Sequence, residues 1–195
     1  MNRQLTFSQY RSVDLAILAV VLTVTQVLTV QAATIWFRDQ LYIVSPVASV
    51  VALALMRWGP WAAIHAVLGG IVFAVASGGQ AQHIAIYSLG NLLSLAVLVY
   101  LRGMRKEKIR QSAFLSVMTA FMVQMLMLLG RAAVAAALGH PFGACLGFIT
   151  TDFLSVLLTM VVVWIARKAD GLFEDQKHYL LRVQRERENE RRDQF

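Results

Sequence analysis

The chain has 195 residues, of which 58% are hydrophobic and 15% charged, against the roughly 25% charged residues of a soluble domain. So small a polar complement does not cover a water-soluble globule, which excludes a soluble enzyme. The net charge of +7 does not describe a nucleic-acid binder either, because Lys and Arg cluster beside apolar runs instead of lining one solvated face.

A helix needs about 20 mostly apolar residues to cross a bilayer, within a range of about 17 to 25. Six runs qualify or nearly so: 13–34, 41–57, 59–77, 83–101, 113–138 and 143–166. The first is longer than a signal-peptide core of about 7 to 15 residues. It also carries Thr23, Thr25, Gln26 and Thr29, so it reads as a retained helix despite the cleavage-like Val30-Gln31-Ala32. Runs two and three are joined by Met56-Arg57-Trp58-Gly59-Pro60-Trp61. Gly59 there suits a tight reversal and Pro60 the first turn of a new helix. In a six-pass arrangement Arg3, Arg11, Arg57, Arg102, Arg105, Lys106, Lys108, Arg110, Arg167 and Lys168 share one side, and the opposite loops carry Arg38 alone. Basic loops stay cytoplasmic, which puts both termini inside. The expectation is an all-α, polytopic membrane protein: six transmembrane helices over residues 1–168, then a cytoplasmic amphipathic and charged tail over 169–195. Leu172, Phe173, Tyr179, Leu180 and Val183 of that tail fall near one helix face.

Polar groups inside a membrane need a partner, a cavity or a ligand. At about 1.5 Å per residue, Gln26, Asn91, Arg131 and Asp152 from four different runs lie at one depth, roughly 10 to 14 Å below the outer surface. His83, Tyr87 and Asn91 are spaced by four and share a helix face, continued by Ser94, while Gln124 and Arg131 share another. Thr151 and Ser155 flank Asp152. These residues offer a cation, a carboxylate, amides, a phenol and an imidazole, which suits a small polar or zwitterionic ring compound. The plainer alternative is an Arg131–Asp152 pair that only neutralises itself between helices.

Gly143, Gly147, Thr151, Ser155 and Thr159 recur every four residues, as do Ala62, Ala66 and Gly70, and small residues at that spacing allow close helix packing. His65 reads as a packed or interfacial histidine, and His140, before Pro141, as a turn residue or part of the pocket mouth. The single cysteine, Cys145, excludes an internal disulfide, and no Cys/His spacing matches a metal site. No H-E-x-x-H, G-x-S-x-G or phosphate-binding glycine loop occurs, so neither enzymatic activity, nor a metal, nor a cofactor is expected.

With its size, six spans and both ends inside, the chain resembles the substrate-binding (S) component of an energy-coupling factor (ECF) transporter. The features that carry the resemblance are Arg11-Ser12-Val13-Asp14 leading into an Ala-rich first helix, the short Pro46-containing second run, Arg57-Trp58-Gly59-Pro60-Trp61, and Gly69-Gly70. It covers about residues 11–168. The resemblance implies high-affinity capture of a micronutrient, a vitamin or related compound, near the outer face. It also implies lids at 36–42 and 77–82, hinged at Gly78-Gly79, and a transmembrane coupling subunit with two ATPases as partners. Docking alanines, four apart in the family, correspond here to Ala16 and Ala19, three apart. The ligand contacts expected are Asn91, Arg131 and Asp152, with His83, Tyr87, Gln26 and Gln124 beside them. The alternative from another class is a non-transporting scaffold of the cell-shape or division type whose charged tail recruits a partner.

Overall fold

Apolar runs in hydrocarbon satisfy their backbone groups by closing them into helices. The computed structural model, which describes residues 6–36 and 44–193, has no strand among the described residues. The helices are α1 (Phe7–Trp36), α2 (Val47–Trp58), α3 (Ala62–Ala76), α4 (Ala81–Asn91), α5 (Val97–Gly103), α6 (Lys106–Gln111), α7 (Ala113–Ala137), α8 (Phe142–Thr150), α9 (Phe153–Ala166) and α10 (Gln176–Asp193). Short 3-10 segments, Gly59–Trp61 and Leu92–Ala96, join α2 to α3 and α4 to α5. Five stretches are long and apolar enough to cross a membrane: Phe7–Trp36, Val47–Ala76, Ala81–Gly103, Ala113–Ala137 and Phe142–Ala166. The chain is a membrane-embedded helical bundle. Arg3, Arg38 and the 36–42 lid expected from the sequence lie, Trp36 apart, outside the described residues.

The second stretch is folded on itself. Gly59 takes φ +60°, a conformation glycine adopts without steric penalty, and α3 runs back along α2 so closely that a Cβ on Gly69 would lie 2.6 Å from Val47 Cγ1. Every residue of α2 is buried, as befits a helix apolar nearly all round. With 12 residues it is roughly 18 Å long. It runs antiparallel to α1: Ser45 meets Gln26 at one end and Trp58 meets Asp14 at the other.

Packed against α4, α8 and α9, α7 forms the middle of the bundle. The α4–α7 seam is a backbone contact: a Cβ on Gly130 would fall 2.0 Å from the Gly90 carbonyl oxygen, and one on Gly90 2.6 Å from the Arg131 backbone. This contact sets Arg131 beside Asn91. The four-residue stripe late in the chain behaves differently from its expected close packing. Ser155 and Thr159 are buried, but Cβ atoms on Gly143 and Gly147 would meet nothing within 4 Å. The expected continuous helix over 143–166 is broken at Thr151–Asp152. At the C-terminal end of α8 the Gly147 carbonyl accepts from both Thr151 Oγ1, at 2.7 Å, and the Thr151 backbone N–H, at 3.0 Å.

The tail starts inside the bundle end, not beside it. Residues 170–175 form turns, with Gly171 at φ +68°, so Leu172 and Phe173 do not share the face of α10. Phe173 is fully buried in the main core. Arg57 holds this segment: its Nε donates to Asp14 Oδ2 at 2.9 Å, and its Nη1 donates to the Gly171 and Leu172 carbonyls. Lys106 Nζ donates to Asp175 Oδ2 at 2.7 Å, and Arg110 lies 3.2 Å from Glu174. Burial pushes the Asp175 carboxyl up, but the hydrogen bond and charge of Lys106, with the bond to His178, outweigh it and hold the carboxyl below its usual range.

A carboxylate depressed by folding stabilises fully above its unfolded pKa and loses that contribution as pH falls through the folded one. The clasp therefore holds at neutral pH and loosens only in acid. An NMR titration of Asp175 is expected to give a midpoint below the usual carboxylate range, rising in Lys106→Ala; an unchanged midpoint in the variant would contradict this. Gly130→Ala is expected to destabilise by about 1–3 kcal/mol through overpacking. Gly143→Ala is expected to be neutral or stabilising by up to about 1 kcal/mol through helix propensity, both read by unfolding in detergent.

Candidate functional site

The polar residues read from the sequence at one depth form a hydrogen-bonded network. Asp152 is placed by the α8–α9 break at the N-terminal end of α9, where the helix dipole favours an anion. Its Oδ2 accepts from Arg131 Nη1 at 2.9 Å and from Gln124 Nε2 at 3.3 Å, and its Oδ1 accepts from Ser155 Oγ. Arg131 Nε donates to Asn91 Oδ1 at 2.8 Å, and Asn91 Nδ2 donates to the Ala66 carbonyl of α3 at 3.0 Å. From the other side, the Ser45 backbone N–H donates to Ser155 Oγ at 2.9 Å and Ser45 Oγ donates to Gln26 Oε1 at 2.7 Å. Thr159 Oγ1 donates to Gln124 Oε1 at 3.4 Å. Gln26, Asn91, Gln124, Arg131 and Asp152 are each at most 5% exposed. Among the fully buried side-chain nitrogens and oxygens of these five, Gln26 Nε2 alone has no hydrogen-bond partner.

Beside the ion pair lies a cleft lined by Ser45, Phe73, Tyr87, Arg131, Phe148, Thr151 and Asp152. The Arg131 guanidinium sits 4.9 Å over the Tyr87 ring, within cation–π range. Tyr87 packs against Phe73 with ring centroids 4.5 Å apart, and against Phe148 edge-on at 5.8 Å. A guanidinium and a carboxylate fixed against aromatic walls can hold a planar polar molecule through directed hydrogen bonds and stacking. The α-helical ladder is interrupted at the same level: Leu92–Ala96, immediately after Asn91, tightens into 3-10 helix, and α2 begins at Val47 just after Ser45. Non-helical backbone at membrane depth is tolerated where protein or a cavity surrounds it.

His83 stands apart from the others. It is exposed, and its Nδ1 accepts from the Gln80 backbone N–H at 3.1 Å, capping α4. His65 is buried and donates through Nε2 to the Leu15 carbonyl at 3.0 Å, and His140 does not line the cleft. Ala16 is exposed on α1 and Ala19 half-buried. Ser45, Phe73 and Phe148 were not singled out in the sequence. Phe73 follows Ala66 by seven residues, the spacing of a shared helix face, and Pro46 marked a helix start that leaves Ser45 free to bond sideways. Phe148 carried no such signal.

Comparison with protein-family models, curated proteins and solved structures finds no match.

Removing one member of a buried ion pair leaves an uncompensated charge, at about 3–5 kcal/mol. Arg131→Leu is expected to lose stability on that scale. The Arg131→Leu/Asp152→Asn double variant is expected to lose clearly less than the sum of the single changes. Additive losses in a double-mutant cycle would contradict the coupling.

Proposed function

We propose that this chain is a membrane-embedded binding subunit for uptake of a small micronutrient, a vitamin or related ring compound, of the ECF S-component type. The observation that supports this best is the Arg131–Asp152 pair lining an aromatic cleft at a helix break, with Asn91 bonded to Arg131 and Gln26 to the cleft residue Ser45 behind it. Transporters place substrate sites near the bilayer midplane where helices are interrupted, and intramembrane ions mark functional sites by default. In this reading α2 and α3 each cross the membrane, giving six spans. The protein is a multi-pass protein of the plasma membrane, with the lysines and arginines of the tail end on the cytoplasmic side and the cleft facing outward. A separate coupling subunit and two ATPases supply the energy, and the outward face of α1 with Ala16 and Ala19 meets the coupling subunit.

The test is mass spectrometry of small molecules released by denaturing the detergent-purified protein. One compound at stoichiometric amount, lost in Arg131→Ala protein that keeps its helicity, is the expected result. An empty protein showing no thermal shift across a panel of micronutrients would instead support the scaffold reading, in which the network only holds helices together.

A further inference from the structure

The cleft leaves about 10 Å³ for the centre of a water molecule, the room of one ordered water, whereas a small-molecule site takes on the order of 300 Å³ or more. If the cleft binds a ring compound, as proposed above, one wall must move. Most of the lining is fixed. Arg131, Asp152 and Ser45 are held by buried hydrogen bonds, and Phe73 and Tyr87 stand on α3 and α4. Those helices touch backbone to backbone: a Cβ on Gly70 would lie 2.5 Å from the Ser88 nitrogen.

The wall left over is α8. Cys145 is the only buried residue of this helix. Phe142 and Leu146 are exposed, and Gly143 and Gly147 face open space. Its packing is chiefly on α7. It is flanked by two backbone interruptions, the turn at Gly139 with φ +86° and the break at Thr151–Asp152. The one aromatic side chain it sends into the cleft is Phe148, set edge-on against Tyr87. A segment with few buried side chains and interrupted backbone at both ends opens at lower free energy than the core around it.

We infer that α8 is the gate of the cleft, swinging away from α7 about residues 139–141 and 150–151, with Phe148 as the latch over Tyr87. Opening exposes the Arg131 guanidinium and the Tyr87 ring while the Arg131–Asp152–Asn91 bonds stay in place. The gate rests on the ligand-binding reading for its purpose, but its motion is testable without a ligand.

Cys145 is the chain's single cysteine and lies in the α8–α7 seam with Ala135 and Ile86, so its thiol reports opening. The experiment is N-ethylmaleimide labelling of the folded, detergent-purified protein, read by intact mass. The control is Ala120→Cys in a Cys145→Ala background, which puts a thiol at a fully buried position of α7. Cys145 is expected to label at least about tenfold faster than the control, as local opening precedes global unfolding, and Phe148→Ala is expected to speed Cys145 labelling further. A Cys145 that labels no faster than the control, or only as the protein unfolds, would overturn the gate, and a Phe148→Ala rate equal to wild type would remove the latch. Either failure leaves the binding proposal to its own test, and a mobile α8 in a protein that carries no ligand and shows no thermal shift across the micronutrient panel would contradict the binding proposal alone.

Discussion

An arginine and an aspartate taken out of water each carry a desolvation penalty of several kcal/mol, and their attraction offsets it only when the remaining donors and acceptors are also satisfied. The middle of this bundle is organised by that requirement. Asp152 accepts from Arg131, Gln124 and Ser155, Arg131 also donates to Asn91, and Asn91 is anchored on the Ala66 carbonyl. Satisfying one ion pair thereby ties α3, α4, α7 and α9 together at one level. The Gly90–Gly130 contact serves the same end: only residues without a Cβ let α4 and α7 approach closely enough for Asn91 to reach Arg131 Nε.

The two ends of the molecule are held differently. At the tail end, Arg57 binds α1, α2 and the 171–172 carbonyls at once, while Lys106 and Arg110 take the acidic residues of the tail, and Phe173 is sunk in the core. At the other end the described chain is thinner, with α8 laid against α7 and most of its side chains outward. A rigid closed end opposite a loosely held helix is the distribution of stability that a one-sided binding site needs, because elements that move are drawn from the least stable part of a fold.

Much of this was legible from residue types and spacing, and the gaps have physical causes. The apolar runs revealed the helical bundle, and counting from helix ends placed Gln26, Asn91, Arg131 and Asp152 at one depth, because α-helical rise is constant. Counting failed where the helix is interrupted. The break at Thr151–Asp152 lies within a run that is apolar on either side, and only the Thr150-Thr151-Asp152 sequence hints at side chains competing for backbone bonds. His83 has the same four-residue spacing to Tyr87 as Tyr87 has to Asn91, yet it lies in the first turn of α4 and serves as a cap, since face and depth together, not face alone, decide what reaches the cleft. The tail looked amphipathic as one helix. Gly171 and the pull of Arg57 on its carbonyl instead turn Phe173 into the core and leave Leu172 exposed before α10 begins.

The central claim, a binding site reached from outside, is tested most directly at Thr151, which lines the cleft and is partly exposed. A Thr151→Cys substitution in a Cys145→Ala background, in sealed vesicles of known orientation, is treated with a charged, membrane-impermeant thiol reagent added to one side at a time. The account predicts modification from the external side and protection from the cytoplasmic side. Modification from the cytoplasmic side alone, or from neither, would contradict it.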